Sequence, residues 1–148
     1  MPSQYSNLSS TQLAEGLSKI CRQAGKAILE VYNRSDFGVQ TKSDNSPLTE
    51  ADLAAHHIIV DGLADLVSDV PTLSEESDKI SFETRSRWNR YFLVDPLDGT
   101  KEFINRNGEF TVNIALIENH APIMGAVYVP VTDVLYIGIN LGEDRQAY

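Results

Sequence analysis

The stretch "YFLVDPLDGTKEF", residues 91–103, runs from apolar residues straight into a turn that holds Asp95, Pro96, Asp98, Gly99 and Thr100. "YFLV" reads as a short apolar strand, and the turn chemistry behind it ends that strand. A turn requires one of Pro, Asp or Gly; this one carries all three and a second aspartate. Asp95 at the strand end and Asp98 across the proline-fixed turn both aim oxygens into one small space. A third acid, Glu75 of "LSEES" (residues 73–77), also follows a short strand, at Thr72 and Leu73. Converging carboxylates repel and raise one another's pKa unless a cation sits between them.

A hard divalent ion such as Mg²⁺ takes such an oxygen shell, completed by main-chain carbonyls and water. The Leu97 carbonyl lies inside the turn, placed for that role. Beyond it, "GTKEF" opens a short helix whose free N–H groups favour a phosphate oxygen, and Thr100 adds a hydroxyl. Cations beside an anion-holding helix start describe phosphoryl transfer. Read from the residues alone, the aspartates also fit plain turn formers, and "SEES" fits an exposed acidic loop.

Working outward, the downstream segments "FTVNIALIE" (110–118), "PIMGAVYVP" (122–130) and "DVLYIGI" (133–139) keep a period of two. Short turns at 119–121 and 130–133 join them, so they predict an antiparallel meander. "NLGEDRQAY" (140–148) reads as a further turn. Upstream, S-x-x-Q over Ser9 to Gln12 is a capping-box pattern, and Leu13, Leu17, Ile20, Ala24, Ile28 and Val31 form one helical stripe. A polar connector over 37–47 begins extended at Val39. The spacing predicts a second helix from Thr49, with Leu53, His56, Val60, Leu63 and Val67 as its buried face, ending before Pro71. His56 and His57 are adjacent and point in different directions, which suits structural or solvated roles. Residues 79–90 are charged, with a helical turn or two. The expected fold class is α+β: two N-terminal helices packed on a mainly antiparallel β-sheet.

A chain of 148 residues fits one domain. Its net charge of −9 argues against a nucleic-acid partner and requires cations to mediate binding of any anionic substrate. Cys21, the one cysteine, sits in the helical stripe as a buried apolar residue. "MPSQYSNLSS" has neither a basic start nor an apolar stretch, and no run approaches the roughly 18 to 20 apolar residues of a membrane span. The expected compartment is cytoplasmic, with peripheral association at the inner membrane left open. No P-loop, dinucleotide fingerprint, C-x-x-C or H-E-x-x-H is present, and the spacing of "DPLDG" does not suit an EF-hand.

"DPLDGT" resembles the D-P-[ILV]-D-G-T signature of the inositol monophosphatase superfamily of metal-dependent, lithium-sensitive phosphatases. "KSDNSPLTEAD" and "PTLSEES" match two further blocks of that family in order, so the resemblance runs over nearly the whole chain from about Leu13. "KEF" (101–103) and "RNGEFTVNIALI" (106–117) resemble its bacterial 3′(2′),5′-bisphosphate nucleotidase branch. The resemblance implies hydrolysis of the 3′-phosphate of adenosine 3′,5′-bisphosphate to AMP and phosphate, linked to sulfate assimilation. It implies Glu75, Asp95, Asp98 and the Leu97 carbonyl as Mg²⁺ ligands, with two or three ions in a complete enzyme and inhibition by Li⁺. Asp52 would pair with Thr100 to activate the attacking water together with Glu75. Leu97, Asp98, Gly99 and Thr100 would hold the substrate phosphate.

The family's W-D-x-A-A block is absent, since the one tryptophan, Trp88, is followed by Asn89. The expectation is therefore a single domain over 1–148 that forms the amino-terminal half of an αβαβα sandwich. An exposed sheet edge after Ile139 would follow, inviting homo-oligomers. An inositol or sugar monophosphatase, or a non-catalytic metal-binding fragment, is the alternative.

Overall fold

A computed structural model describes residues 8–42, 47–77 and 79–148, so residues 43–46 of the connector and the amino-terminal 1–7 lie outside the described residues. Helix α1 (Ser10–Tyr32) starts at a complete capping box. Ser9 Oγ accepts from the Gln12 N–H at 3.1 Å, and Gln12 Oε1 accepts from the Ser9 N–H at 2.9 Å. Its apolar stripe is buried from Leu13 to Val31. At the far end the Arg106 guanidinium donates to the carbonyls of Tyr32, at 2.7 Å, and Arg34. The same guanidinium lies over the Phe37 ring, 4.3 Å from its centroid.

Strands β1 (Gln40–Thr41) and β2 (Pro47–Leu48) pair antiparallel and lead into α2 (Glu50–Leu66). The buried face expected for α2 is rotated: the helix buries Ala51, Asp52, Ala55, Ile59 and Leu63, Leu53 is exposed, and Val67 is the C-cap. Close approach to α1 explains the shift. A Cβ on Gly62 would sit 2.9 Å from Ile20, and one on Gly16 would sit 2.6 Å from Leu66. Small residues, not the bulkiest apolar ones, therefore occupy the contact.

The sheet follows. Strands β3 (Thr72–Ser74), β4 (Arg90–Asp98), β5 (Thr111–Glu118), β6 (Ala121–Val129), β7 (Val134–Leu141) and β8 (Asp144–Ala147) lie side by side in that order. β3 runs parallel to β4, across a connection that contains α3 (Phe82–Arg85), and every later pair is antiparallel. The β5–β6 loop is two residues, Asn119 and His120, both at positive φ (50° and 66°), the signature of the hairpin turn whose twist suits the flanking strands.

Residues 140–148 differ from expectation. They close a hairpin at Gly142, and β8 pairs with β7 from Gly138 to Leu141. The edge expected after Ile139 is thus covered, and the outer strand is the short β8. The first three residues of β8, Asp144, Arg145 and Gln146, are all polar or charged, so no period-two pattern marks the strand.

One sheet face presents Phe92, Val94, Ile114, Leu116, Met124, Ala126, Ile137 and Ile139 to α1 and α2, all buried. The opposite face leaves Leu93, Val127 and Tyr136 exposed. Helix α4 (Thr100–Ile104) follows β4, and Phe103 locks it in place against Tyr32, Phe37 and Phe110 at centroid distances of 5.3, 4.7 and 5.2 Å. Among the described residues no helix is long and apolar enough to cross a membrane.

Candidate metal and phosphate site

Four segments meet where β4 ends: the start of α2, the end of β3, the β4 terminus and the start of α4. In β4, Asp95 faces Asn113 and Asp98 faces Thr111, so β4 advances three residues while β5 advances two. That extra residue is a bulge, and Pro96, which has no N–H to give to the ladder, lies within it. Its consequence is geometric. Two residues three apart in a regular strand point to opposite faces, and one inserted residue restores them to the same face. Asp95 and Asp98 therefore share the open face of the sheet with Asn113 and Thr111.

Glu75 reaches the same face from the neighbouring strand, where its N–H donates to the Val94 carbonyl at 3.2 Å. Glu75, Asp95 and Asn113 line a groove of about 340 Å³ walled by Leu93 and Val127. Asp98 lies to the side, where it accepts from Asn113 Nδ2 at 3.3 Å. Among the described residues no three acidic, histidine or cysteine side chains meet at one metal-sized point. The structure brings two of the three acids together and holds the third at the margin.

The electrostatics of that pair fit a cation. Burial, reinforced by the charges of Glu75 and Asp98, raises the Asp95 carboxyl to about 7, against partial relief from the Leu97 N–H. Asp95 Oδ1 is buried with no hydrogen-bond partner. Carboxylates pressed together with an orphaned oxygen are a donor set that a hard ion satisfies. The Leu97 carbonyl adds a main-chain oxygen that accepts one long bond, 3.4 Å, from Thr100 Oγ1.

The two glutamates of "SEES" divide their roles. Glu76 is 6% exposed and accepts from Lys42 Nζ at 2.6 Å. Burial opposes the Lys42 ammonium, but the bond and charge of Glu76, with Asp52 and Glu75 nearby, hold its pKa above the ordinary lysine value. Glu75 has no such partner among the contacts described, and it is the one beside Asp95.

Asp52 sits at the third position of α2, where its carboxylate completes the capping box. Oδ2 accepts from the Thr49 N–H at 2.8 Å and from Thr49 Oγ1 at 2.6 Å. Oδ1 accepts from Thr100 Oγ1 at 3.0 Å. At 1% exposure this carboxylate is removed from water and is held by three donors instead. Thr100 is the first residue of α4, behind Gly99 at φ 91°. A Cβ at Gly99 would lie 3.0 Å from the Glu109 carbonyl oxygen, so the tight approach and the left-handed backbone both require glycine there.

Lys42, Ser74 and Asn113 escaped the sequence reading, and Thr49, read there as the start of α2, is its N-cap. Asn113 leaves a trace, as the polar break in the otherwise apolar "FTVNIALIE". Lys42 and Ser74 act through contacts with residues far along the chain, and no local pattern marks them.

A profile of the inositol monophosphatase family matches residues 9–145. The 3′(2′),5′-bisphosphate nucleotidase CysQ of Escherichia coli (strain K12) is 56% identical over 125 residues, covering 84% of this chain and 50% of that protein. The crystal structure of CysQ from Bacteroides thetaiotaomicron, a bacterial member of the inositol monophosphatase family, superposes with a TM-score of 0.77 at 43% identity. That match covers 100% of this chain and 51% of the other. An IMPase/NADP phosphatase in complex with Mg²⁺ and phosphate shares the fold, with a TM-score of 0.77 at 20% identity over 93% of this chain and 51% of its own. The chain spans about half the length of the curated relatives it matches. Matched along nearly its whole length and more than half identical to a curated member, it belongs to the inositol monophosphatase family.

Proposed function

We propose that the protein carrying this chain is a Mg²⁺-dependent phosphatase that cleaves the 3′-phosphate of adenosine 3′,5′-bisphosphate, releasing AMP and phosphate. The observation that carries this reading is the buried, partnerless oxygen of Asp95 against Glu75, next to the Asp52–Thr100 pair. The likeness to CysQ proteins supports the nucleotide as substrate. On this reading the enzyme serves sulfate assimilation in the cytoplasm, and Li⁺ inhibits it.

Glu75, Asp95, the Leu97 carbonyl and Asp98 would hold the metal. When bound, Mg²⁺ neutralises charge on the phosphoryl oxygens and polarises the attacked phosphorus. The main-chain N–H groups of Gly99 and Thr100 orient the phosphate. Thr100 Oγ1 donates a hydrogen bond to Asp52 Oδ1, which leaves its lone pairs to accept a proton from the attacking water. As the water attacks, its proton passes to Thr100 and the Thr100 proton to Asp52, so a carboxylate does the base's work through a hydroxyl.

Phosphate release from adenosine 3′,5′-bisphosphate, with and without Mg²⁺, tests the reading. No metal-dependent turnover would reject it, and a higher kcat/KM for inositol monophosphate would move the substrate to the other branch. Asp52→Asn is expected to cut kcat about 10²- to 10⁴-fold, with calorimetric Mg²⁺ affinity nearly unchanged. Equal loss of both would refute the role given to Asp52.

A further inference from the structure

Asp52 and His56 are one turn apart on α2, so both project toward the sheet. Asp52 reaches Thr100, as described above. His56 reaches a different loop: its Nδ1 lies 2.8 Å from Ser74 Oγ, sharing a hydrogen bond. Ser74 is the last residue of β3, buried, and its Oγ also accepts from the Glu76 N–H at 3.4 Å. Its carbonyl closes the following turn by accepting from the Ser77 N–H at 3.0 Å.

The next residue is Glu75. Successive side chains along an extended strand point to opposite faces, and Glu75 continues the ladder through its bond to Val94. Fixing Ser74 on the helix side therefore fixes Glu75 on the open side, toward Asp95. A serine hydroxyl alone does not hold a strand end, because its rotor is free; the imidazole removes that freedom. Burial, with the neighbouring His57 charge and against Asp61, keeps His56 below the ordinary histidine pKa, consistent with a neutral ring that shares one proton with the hydroxyl.

We infer that His56 is a positioning residue: acting through Ser74, it sets the Glu75 carboxylate against Asp95 for the metal. This rests on the metal reading given under the proposed function. Helix α2 then registers two parts of the site at once, Thr100 through Asp52 and Glu75 through His56.

The test compares His56→Leu, which keeps bulk, with His56→Asn, whose amide can occupy the Nδ1 position. Mg²⁺ affinity is read by calorimetry, and amide exchange at Glu75 and Glu76 is read without metal. Partners of this kind are typically worth 10- to 100-fold in metal affinity. His56→Leu is expected to weaken Mg²⁺ binding about tenfold and to speed exchange at those two amides by a similar factor. The melting temperature should stay within a few degrees, and His56→Asn should restore both readings. Ser74→Ala should reproduce the loss and add little to it in the double variant.

Wild-type affinity and exchange in His56→Leu, with Asp95→Asn abolishing binding, would overturn the inference and leave the metal reading standing. No Mg²⁺ binding by the unaltered protein would overturn the metal reading and the inferred purpose of His56. Exchange rates unmoved by His56→Leu would overturn the clamp itself.

Discussion

Asp95 is a carboxyl whose ordinary pKa of 3.8 rises to about 7 in the folded chain. The folded state thus binds this proton more tightly than the unfolded state does. Between about pH 4 and 7 the native chain carries the extra proton, so stability from this group grows as pH falls through 7 and levels off near 4. Above 7 the group is ionised in both states, and the cost of burying its charge, with the repulsion from Glu75 and Asp98, acts in full. In the presence of a chelator, wild type minus Asp95→Asn melting temperature is expected to be most negative near pH 8 and to shrink toward pH 5. A difference independent of pH would show that neither burial nor like charges raise the Asp95 carboxyl. With Mg²⁺ present the order reverses, because the ion competes with the proton for the same oxygens.

Among elements, β4 and α2 show how far the sequence can be read. "DPLDGT" announces the carboxylates but misplaces the strand end: Pro, Asp and Gly favour a turn after Val94, whereas β4 runs on through Asp98 because the bulge keeps it paired with β5. The bulge that returns Asp98 to the face of Asp95 is not legible, since it depends on pairing with β5. The phase of α2 misleads for a similar reason. Periodicity weighs the large residues Leu53 and Val60, whereas close packing on α1 selects Ala51, Ala55 and Ile59. His56 and Ser74 are ordinary in the sequence and become informative only once β3 lies beside α2. The end of α1 gives a prediction at this scale. Arg106 satisfies two carbonyls there and stacks on Phe37, a contact that no local pattern in the sequence marks. Arg106→Met keeps the stem and loses the cap and the stacking, a cost of about 1–2 kcal/mol. Thermal unfolding should show a drop of about 3–6 °C; an unchanged midpoint would place the fastening of α1 elsewhere, in the Tyr32–Phe103–Phe110 cluster.

At the scale of the whole molecule, the helices cover one sheet face and the carboxylates gather on the other. The proposed metal site thus lies on the side of the sheet that lacks helical packing. Tyr136, 59% exposed, and Leu93, 44% exposed, belong to this open face, and the acid pair sits at its β3–β4 corner. Folding has to hold Glu75 and Asp95 together against their own repulsion and against a net charge of −9. A divalent ion that binds only the folded arrangement converts that opposition into stability by mass action. At free Mg²⁺ about 100 times its Kd the gain is about 2.7 kcal/mol, or about 5–10 °C for a chain of this size. Sodium chloride at matched ionic strength relaxes general repulsion alone, so the specific part is the difference between the two salts. Asp95→Asn should abolish that difference while retaining the sodium response. If Mg²⁺ and Na⁺ raise the midpoint equally in wild type, the acids form a strained surface and not a cation site.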